Sequence, residues 1–376
     1  MSAAEESPEE ATTVFRGPIT WAIEAEKSRI VHTLLLLDDN GAPRRINLDS
    51  LPIVIGRAPP ADLVLEGGSV SRRHCRFDLT GDKVTLTDMN STNGTYLDGV
   101  RLDAAVTLVD GMTIAVGGHR LRYQRRDHAE AAEAEAMDRD MQAASNYVAS
   151  ILPPPIEAGA VETEWFYQPC ARLGGDAFGY QMVSDRHFML FLLDVAGHGA
   201  GAALHAVSVA NVLRQKMLPG VDFADPSAVI GSLNKMFTME QHNELFFTIW
   251  YGVYDTVSRE LAFAAGGHHA GYLITPGSAE PMPLSTRNPA VGIVPDRAVT
   301  ASRIAVPVGS ALSLFTDGVF EIVDQTGKQW GMAELLPLLP ASAGKGGPRK
   351  LYDQIRAASR PGAMDDDFSV LVVRFP

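Results

Sequence analysis

Residues 187–201 read HFMLFLLDVAGHGAG, and this stretch determines the architecture of the C-terminal half of the chain. Its apolar run has the length of a strand buried on both faces, and it ends at Asp194 before a glycine-rich turn. Comparable runs follow at 246–255, 260–267, 270–276, 309–318 and 367–375, and helices are predicted over 200–217 and 227–240. Short turns join consecutive strands, so the pattern predicts antiparallel meanders in an α+β domain from about 160 to 376.

The N-terminal half follows a different pattern. From about 30 to 124, short β-like runs alternate with Gly, Asp and Asn turn signals, which predicts an all-β sandwich without a helix of ordinary length. Residues 1–18 are rich in Glu, Ala and Thr, and a disordered tail is expected there.

A helix is predicted between the two domains, over 127–152. Its sequence has no Gly or Pro, and three prolines at 153–155 end it. One apolar stripe is expected, formed by Met137, Met141, Ala144, Val148 and Ile151. The stripe suits a connecting helix, and the alternative is a switch helix or a homodimer interface.

Composition excludes several classes of protein. The 376 residues carry a formal net charge of -13 and an isoelectric point near 5.2, which argues against a nucleic-acid partner. No apolar run approaches the roughly 18 residues of a membrane span, and the acidic N-terminus lacks a signal-peptide pattern. Cys75 and Cys170 have neither zinc-site nor disulfide spacing. A soluble, cytoplasmic protein is expected.

Four aspartates share one kind of position, at a strand end or a sharp glycine turn: Asp176, Asp194, Asp317 and Asp366. Any one of them alone would be read as a turn residue. Four on separate strands of one domain instead indicate hard oxygen ligands for Mg²⁺ or Mn²⁺.

The blocks around these aspartates resemble the SpoIIE-like branch of the PPM (PP2C-type) metal-dependent protein serine/threonine phosphatases. They are LGGDAFGY, LLDVAGHGAGAAL, FFTIWYGVYD, AAGGHHAGYL, LFTDGVFE and DDFSVLVVRF, in the family's order. The resemblance implies an αββα sandwich with two divalent ions, Mn²⁺ or Mg²⁺, and a metal-activated water that attacks phosphorus. The implied metal ligands are Asp176, Asp194, the Val195 carbonyl, Asp317 and Asp366, with Asp367 in support.

The proton donor for the leaving group is less defined. Asp176 and Asp194 are the implied catalytic carboxylates, and His198 either protonates the leaving alkoxide or shapes the turn. His268 and His269 are interpreted as turn residues. Two features depart from the family. The cationic phosphate anchor of eukaryotic relatives has no clear counterpart before Gly174, and Arg172, which lies nearby, has no assigned role. Ser369 stands where the family usually has Thr.

The β-rich region contains Gly56-Arg57, Ser71-Arg72-Arg73-His74 and Ser91-Thr92-Asn93-Gly94-Thr95. Each motif alone would be a turn, but together they resemble a forkhead-associated (FHA) domain, which binds phosphothreonine peptides. By resemblance Arg57, Ser71, Arg72 and Thr92 contact the phosphate and Asn93 contacts the peptide main chain, while His74 braces the loop.

The combined prediction is a bacterial signalling enzyme, a protein serine/threonine phosphatase with a phosphothreonine reader. Its implied substrate is a phosphorylated anti-sigma-antagonist (STAS-like) regulator. The reader would bind a phosphorylated partner or the chain's own tail, where Thr12 and Thr13 lie. The alternative is a catalytically inactive phosphopeptide-binding scaffold. Nucleotide hydrolysis is disfavoured, because 344–346 lacks the rest of a P-loop.

Overall fold

The computed structural model describes residues 30–37, 44–48, 51–197, 199–278, 280–362 and 364–376. The expected tail at 1–18 and the candidate acid His198 lie outside these residues. The described chain forms a β-sandwich, then one long helix, then a two-sheet α+β domain.

The N-terminal sandwich consists of two sheets. Its strands are β1 (Ile30–Leu37), β2 (Arg44–Asn47), β3 (Ile53–Gly56), β4 (Leu63–Val64), β5 (Cys75–Thr80), β6 (Lys83–Asp88), β7 (Thr95–Leu97), β8 (Val100–Arg101), β9 (Val106–Thr107), β10 (Thr113–Val116) and β11 (His119–Asp127). One sheet has the order β2-β1-β11-β10-β7-β8, and the other β4-β3-β5-β6-β9.

Alternating apolar residues form the core of this sandwich. Leu34 on β1, Phe77 on β5 and Leu86 on β6 are fully buried, as period-two strands with one inward face require. The all-β prediction is confirmed, and the sandwich contains no helix within its described residues. Strands β4, β8 and β9 were not predicted, because two residues are too few to show a period.

The linker helix α1 (His128–Ile151) begins at Asp127, whose Oδ1 accepts a hydrogen bond from Ala129 N at 2.8 Å. The predicted apolar stripe is buried or half-buried from Met141 to Ile151. At the N-terminal end of the stripe, Met137 is 59% exposed. Its neighbour Asp138 is half-exposed and forms ion pairs.

Asp138 connects the helix to both domains. Its backbone oxygen accepts a hydrogen bond from Arg172 Nη1 at 3.0 Å, and its Oδ1 lies 3.3 Å from Arg172 Nη2. Its Oδ2 lies 3.9 Å from Arg45 Nη2 on β2. Arg172, left unassigned from the sequence, is therefore engaged by the linker helix.

The C-terminal domain contains two five-stranded antiparallel sheets. The first, in the order β12-β21-β20-β17-β18, uses β12 (Glu162–Gln168), β17 (Gly271–Ile274), β18 (Met282–Leu284), β20 (Ser310–Phe315) and β21 (Phe368–Phe375). The second, in the order β13-β14-β15-β16-β19, uses β13 (Asp176–Met182), β14 (His187–Val195), β15 (Phe247–Asp255), β16 (Glu260–Gly266) and β19 (Ser302–Ala305).

Helices cover both outer faces of this pair of sheets. They are α2 (Ala200–Arg214), α3 (Pro226–Met236), α4 (Met332–Leu335), α5 (Leu339–Ser342) and α6 (Gly347–Ala358), with 3₁₀ turns at Met239–Gln241, Asp317–Val319 and Leu336–Leu338. Helices α2 and α3 pack on the β13–β19 sheet, and α4 to α6 pack on the other. A third apolar cluster fills the space between the sheets. The αββα prediction is confirmed.

Candidate functional site

The four predicted aspartates come together where the two sheets meet. Asp176 starts β13 and is the cross-strand partner of Asp194, near the end of β14. Asp317 follows β20, and Asp366 precedes β21, the neighbour of β20. Each sheet therefore contributes one pair of carboxylates to the same end of the domain.

Asp176 is buried, and hydroxyl groups of the opposite sheet hold it. Its Oδ2 accepts hydrogen bonds from Thr316 Oγ1 at 2.8 Å and from Ser369 Oγ at 2.5 Å. Both donors point to one oxygen, so the carboxylate is fixed in orientation. Ser369 thus supplies the hydroxyl that threonine would supply in the family pattern.

Burial, followed by repulsion between neighbouring carboxylates, raises the pKa values of this cluster. Burial, followed by Asp317 and Asp366, raises the pKa of Asp194 to about 8. Burial and then Asp194 raise the pKa of Asp176 well above its usual value. Burial and then Asp366 raise the pKa of Asp317 to about 6. Oxygen ligands that repel one another suit a divalent cation, and the residues therefore fit the metal site implied by the sequence.

Asp367 contacts the backbone of the surrounding loops. Its Oδ1 accepts from Cys170 N at 2.8 Å, and its Oδ2 accepts from Gly175 N at 2.6 Å. A Cβ on Gly174 would overlap this carboxylate, and a Cβ on Gly318 would overlap the Asp367 carbonyl. Both glycines are required by this close approach, and Asp367 has the contacts expected of a supporting residue.

Cys170 was missed as a neighbour of the cluster. Its Sγ and carboxylate oxygens of Asp366 and Asp367 lie within 4.8 Å of one another. Burial, followed by Asp367, raises the pKa of the thiol to about 12. No sequence spacing could have indicated the contact, because Cys170 and Asp366 are far apart in the chain.

His268 and His269 lie beneath the Asp317 turn. Burial lowers the pKa of His268 to about 3 and that of His269 to about 4. The His269 ring stacks on Phe315 at 4.8 Å and meets Phe320 edge-on at 5.2 Å, so it packs between residues that flank the turn. Neutral, buried rings suit the structural role predicted for them.

The predicted phosphate-binding loops of the β-sandwich also converge. Thr92 N donates to Ser71 Oγ at 3.0 Å, and Arg57 N donates to Ser71 O at 3.0 Å. Asn93 Nδ2 donates to Ser69 O at 2.8 Å. The side chains of Arg57 and Arg72 are exposed. Two cations and two hydroxyl groups therefore lie around one group of loops, as recognition of a phosphoryl group requires.

His74 connects these loops from below. It is fully buried, its Nδ1 accepts from Ser71 N at 3.1 Å, and its Nε2 lies 3.1 Å from Gly94 O as the donor. A Cβ on Gly56 would overlap the Arg72 carbonyl oxygen, so glycine is required beside Arg57. These contacts match the bracing role that the sequence predicted for His74.

Comparison with solved structures identifies the class of fold. The SiaA-PP2C domain of Pseudomonas aeruginosa aligns with a TM-score of 0.56 over 65% of this chain and 100% of that domain, at 19% identity. The C-terminal domain therefore has the PP2C-type fold.

Sequence profiles identify the family. The profile described as Stage II sporulation protein E (SpoIIE) matches residues 184–376, just over half of the chain, and the FHA domain profile matches residues 53–117. The chain belongs to the SpoIIE family and carries an N-terminal FHA domain.

Two curated relatives match different halves. The phosphoserine phosphatase RsbP of Bacillus subtilis is 24% identical over 187 residues, which are 49% of this chain and 45% of RsbP. The FHA domain-containing protein FhaB of Mycobacterium tuberculosis is 40% identical over 73 residues, which are 19% of this chain and 47% of FhaB. The chain thus spans about half the length of each relative. None of the described helices is long and apolar enough to cross a membrane.

Proposed function

We propose that this protein is a metal-dependent protein serine/threonine phosphatase with a phosphothreonine-binding FHA domain. The observation that carries the proposal is the convergence of Asp176, Asp194, Asp317 and Asp366 from two sheets. The match to RsbP, which is named a phosphoserine phosphatase, supports the same chemistry.

The four aspartates and the Val195 carbonyl would hold two divalent ions, Mn²⁺ or Mg²⁺. Such ions would neutralise the phosphoryl oxygens and make a water nucleophilic near neutral pH. Thr316 and Ser369 fix the orientation of Asp176. Asp367 holds the 170–175 loop against the cluster through the amides of Cys170 and Gly175.

His198 is our candidate for the proton donor to the leaving alkoxide, with shaping of the turn as the alternative role. An acid is needed for a serine leaving group and hardly at all for a nitrophenolate. A donor role predicts that His198→Ala loses activity on a phosphoserine peptide while keeping it on p-nitrophenyl phosphate. Equal loss on both substrates would support the structural role.

The proposed substrate is a phosphorylated STAS-like regulator, and the reader would bind a phosphothreonine partner or the chain's own phosphorylated N-terminal segment. The arrangement of Arg57, Ser71 and Thr92 supports the reading function. The free cysteines Cys75 and Cys170 fit a reducing, cytoplasmic location.

We also propose that α1 contributes to a homodimer. Met137 and Tyr147 are both well exposed on this helix, and a partner helix would cover them. Light scattering on the unaltered chain and on a Met137→Glu, Tyr147→Glu variant tests this; a monomeric mass for the unaltered chain would contradict it.

The decisive experiment is release of phosphate from a phosphorylated protein by the full chain with Mn²⁺, compared with Asp194→Ala. We expect the variant to lose activity and to retain its phosphorylated substrate in a pull-down. Unchanged turnover would contradict the metal assignment. An unaltered chain that binds phosphopeptides without hydrolysing any phosphoester would favour the scaffold alternative, against which the intact set of carboxylates argues.

A further inference from the structure

The segment between β18 and β19 exposes two adjacent apolar side chains. Ile293 and Val294 are 47% and 44% exposed, although the preceding Val291 and Gly292 are buried. Single exposed apolar residues are ordinary on protein surfaces, whereas contiguous apolar patches rimmed by polar residues mark contact sites. Ile293 and Val294 form such an adjacent apolar pair.

A buried asparagine on α3 fixes the pair. Asn234 is only 3% exposed, its Nδ2 donates to Val294 O at 2.5 Å, and its Oδ1 accepts from Gly292 N at 2.8 Å. Gly292 has a φ of +101°, and a Cβ there would lie 2.7 Å from Phe237 O. The backbone under the pair thus has one conformation, and a partner that binds it meets little ordering cost.

A second asparagine closes the same segment further along. Asn288 Nδ2 donates to Ala265 O and to Thr300 O, both at 2.9 Å, and its Oδ1 accepts from Thr300 N at 2.8 Å. The segment from 288 to 300 is therefore a closed loop tied to β16. Side-chain hydrogen bonds therefore fix the backbone of this loop.

The position of the loop relative to the carboxylates follows from strand pairing. Phe247 pairs with Val195, the residue after Asp194, and on its other side with Val291. Strands lie about 4.8 Å apart, so Val291 lies roughly 10 Å from Val195, and Ile293 is at most about 7 Å further. A protein interface covers about 800 Å² per partner, equivalent to a radius of roughly 16 Å. Its full width is roughly 32 Å, so an interface that includes the carboxylates can also include this pair.

A cationic groove lies between α3 and a later part of the same loop, which begins two residues after Val294. Its cavity of about 400 Å³ is lined by residues that include Lys235, Arg297, Asp296, Ser232 and Val299. Two cations and one carboxylate make the groove locally positive, although the whole chain carries a net charge of -13. Such a groove favours acidic side chains on the partner.

We propose that Ile293 and Val294, with the groove formed by Lys235 and Arg297, are the docking surface for the folded body of the phosphoprotein substrate. That substrate presents apolar side chains flanked by acidic ones, at a distance from its phosphorylated residue. This inference rests on the proposed phosphatase function and adds how the enzyme would select a protein over a short phosphopeptide.

The test compares an Ile293→Ser, Val294→Ser variant with a matched Val257→Ser, Val308→Ser control. The control residues are apolar and even more exposed, at 73% and 69%, and they lie in turns at the opposite end of the sheets. The substrates are a phosphoserine STAS-domain protein, a short phosphoserine peptide from it, and p-nitrophenyl phosphate. The loop variant should lose about tenfold in kcat/KM on the protein only, as removal of a contact-site anchor does, while the control loses nothing.

A charge-reversed Lys235→Glu, Arg297→Glu variant should show the same selective loss. In the unaltered chain, added salt should lower kcat/KM on the protein substrate, because it screens the charges of the groove. Equal loss on all three substrates, or none on the protein, would overturn the docking assignment. A lower molecular mass of the loop variant would assign the surface to a second copy of the chain. Competition by a synthetic peptide of residues 1–29 would assign it to the N-terminal segment. Failure of the unaltered chain to hydrolyse p-nitrophenyl phosphate would instead contradict the phosphatase function itself.

Discussion

Asp176 and Asp194 face each other as direct cross-strand partners on β13 and β14. Like charges in this position destabilise a sheet, because the two Cβ atoms lie only about 4.5–5.5 Å apart. Burial, followed by neighbouring carboxylates, raises the pKa of both carboxyl groups, and that of Asp194 to about 8. The fold thus keeps an unfavourable pair at the position where a cation would relieve it.

The first prediction concerns pH and stability in the presence of a chelator. A carboxyl group with a raised folded-state pKa binds its proton more tightly in the folded than in the unfolded state. The metal-free protein should therefore lose stability as pH rises from about 4 to about 8, the window set by the usual and shifted values for Asp194. We expect a lower Tm in EDTA at pH 8 than at pH 5, and a larger gain from Mn²⁺ at pH 8. Asp194→Asn should flatten this difference, and an identical pH profile in that variant would contradict the explanation.

The second prediction concerns Ser369, whose hydroxyl donates to Asp176 at 2.5 Å. Ser369→Ala removes the donor from a metal-site carboxylate, and loss of such a contact typically costs 10–100-fold in metal affinity. The Mn²⁺ concentration needed for half-maximal turnover should rise by about that factor. Ser369→Thr keeps the hydroxyl and is the matched control; a similar rise in that variant would indicate a packing effect instead.

The third prediction separates phosphopeptide binding by the FHA domain from hydrolysis by the phosphatase domain. Arg57→Ala removes a cation from the FHA loops, and a hydrogen bond to a charged group is worth about 1.5–3 kcal/mol. Phosphothreonine-peptide affinity, measured by calorimetry, should therefore fall roughly 10–100-fold. Turnover of p-nitrophenyl phosphate should stay the same. Arg73→Ala, an exposed neighbour outside the assigned set, is the control. Loss of turnover in Arg57→Ala would show that the two domains are coupled.

The fourth prediction concerns Asp138, which pairs with Arg172 and with Arg45. These are exposed ion pairs, so Asp138→Ala should change global stability by less than about 1 kcal/mol. Its local effect should be larger, because Arg172 leads directly into the loop before Asp176. Amide exchange across 170–175 should become faster in this variant. Asp140→Ala, on the exposed side of α1, should leave exchange unchanged, and equal acceleration in both would contradict the role of Asp138.

The fold was predictable because the apolar runs were long and the turn residues distinct. The run at 187–195 has the length of a buried strand and ends at a glycine-rich turn, and the prolines at 153–155 disfavour continuation of the helix before them. Strands β4, β8 and β9 have two residues each and show no period. The exposure of Met137 and the ion pair of Asp138 with Arg172 depend on tertiary packing and could not be read from the helical period.

The candidate sites were predictable where a motif marks each residue. Asp176, Asp194, Asp317 and Asp366 each stand beside a glycine or a strand end, and the structure brings them together. Contacts that depend only on tertiary packing correspond to no motif in the sequence. The approach of Cys170 to Asp366, and the support of Val294 by Asn234, join residues that are far apart in sequence.

The division of the carboxylates between the two sheets has a mechanical consequence. In the bare protein, the seam at this end is held by hydroxyl contacts from Thr316 and Ser369 to Asp176 and by the amide contacts of Asp367. Divalent ions held by these carboxylates would cross-link that seam reversibly, joining segments of the chain that are distant in sequence. Resistance to unfolding and capacity for turnover would then rise and fall together with the supply of divalent ions.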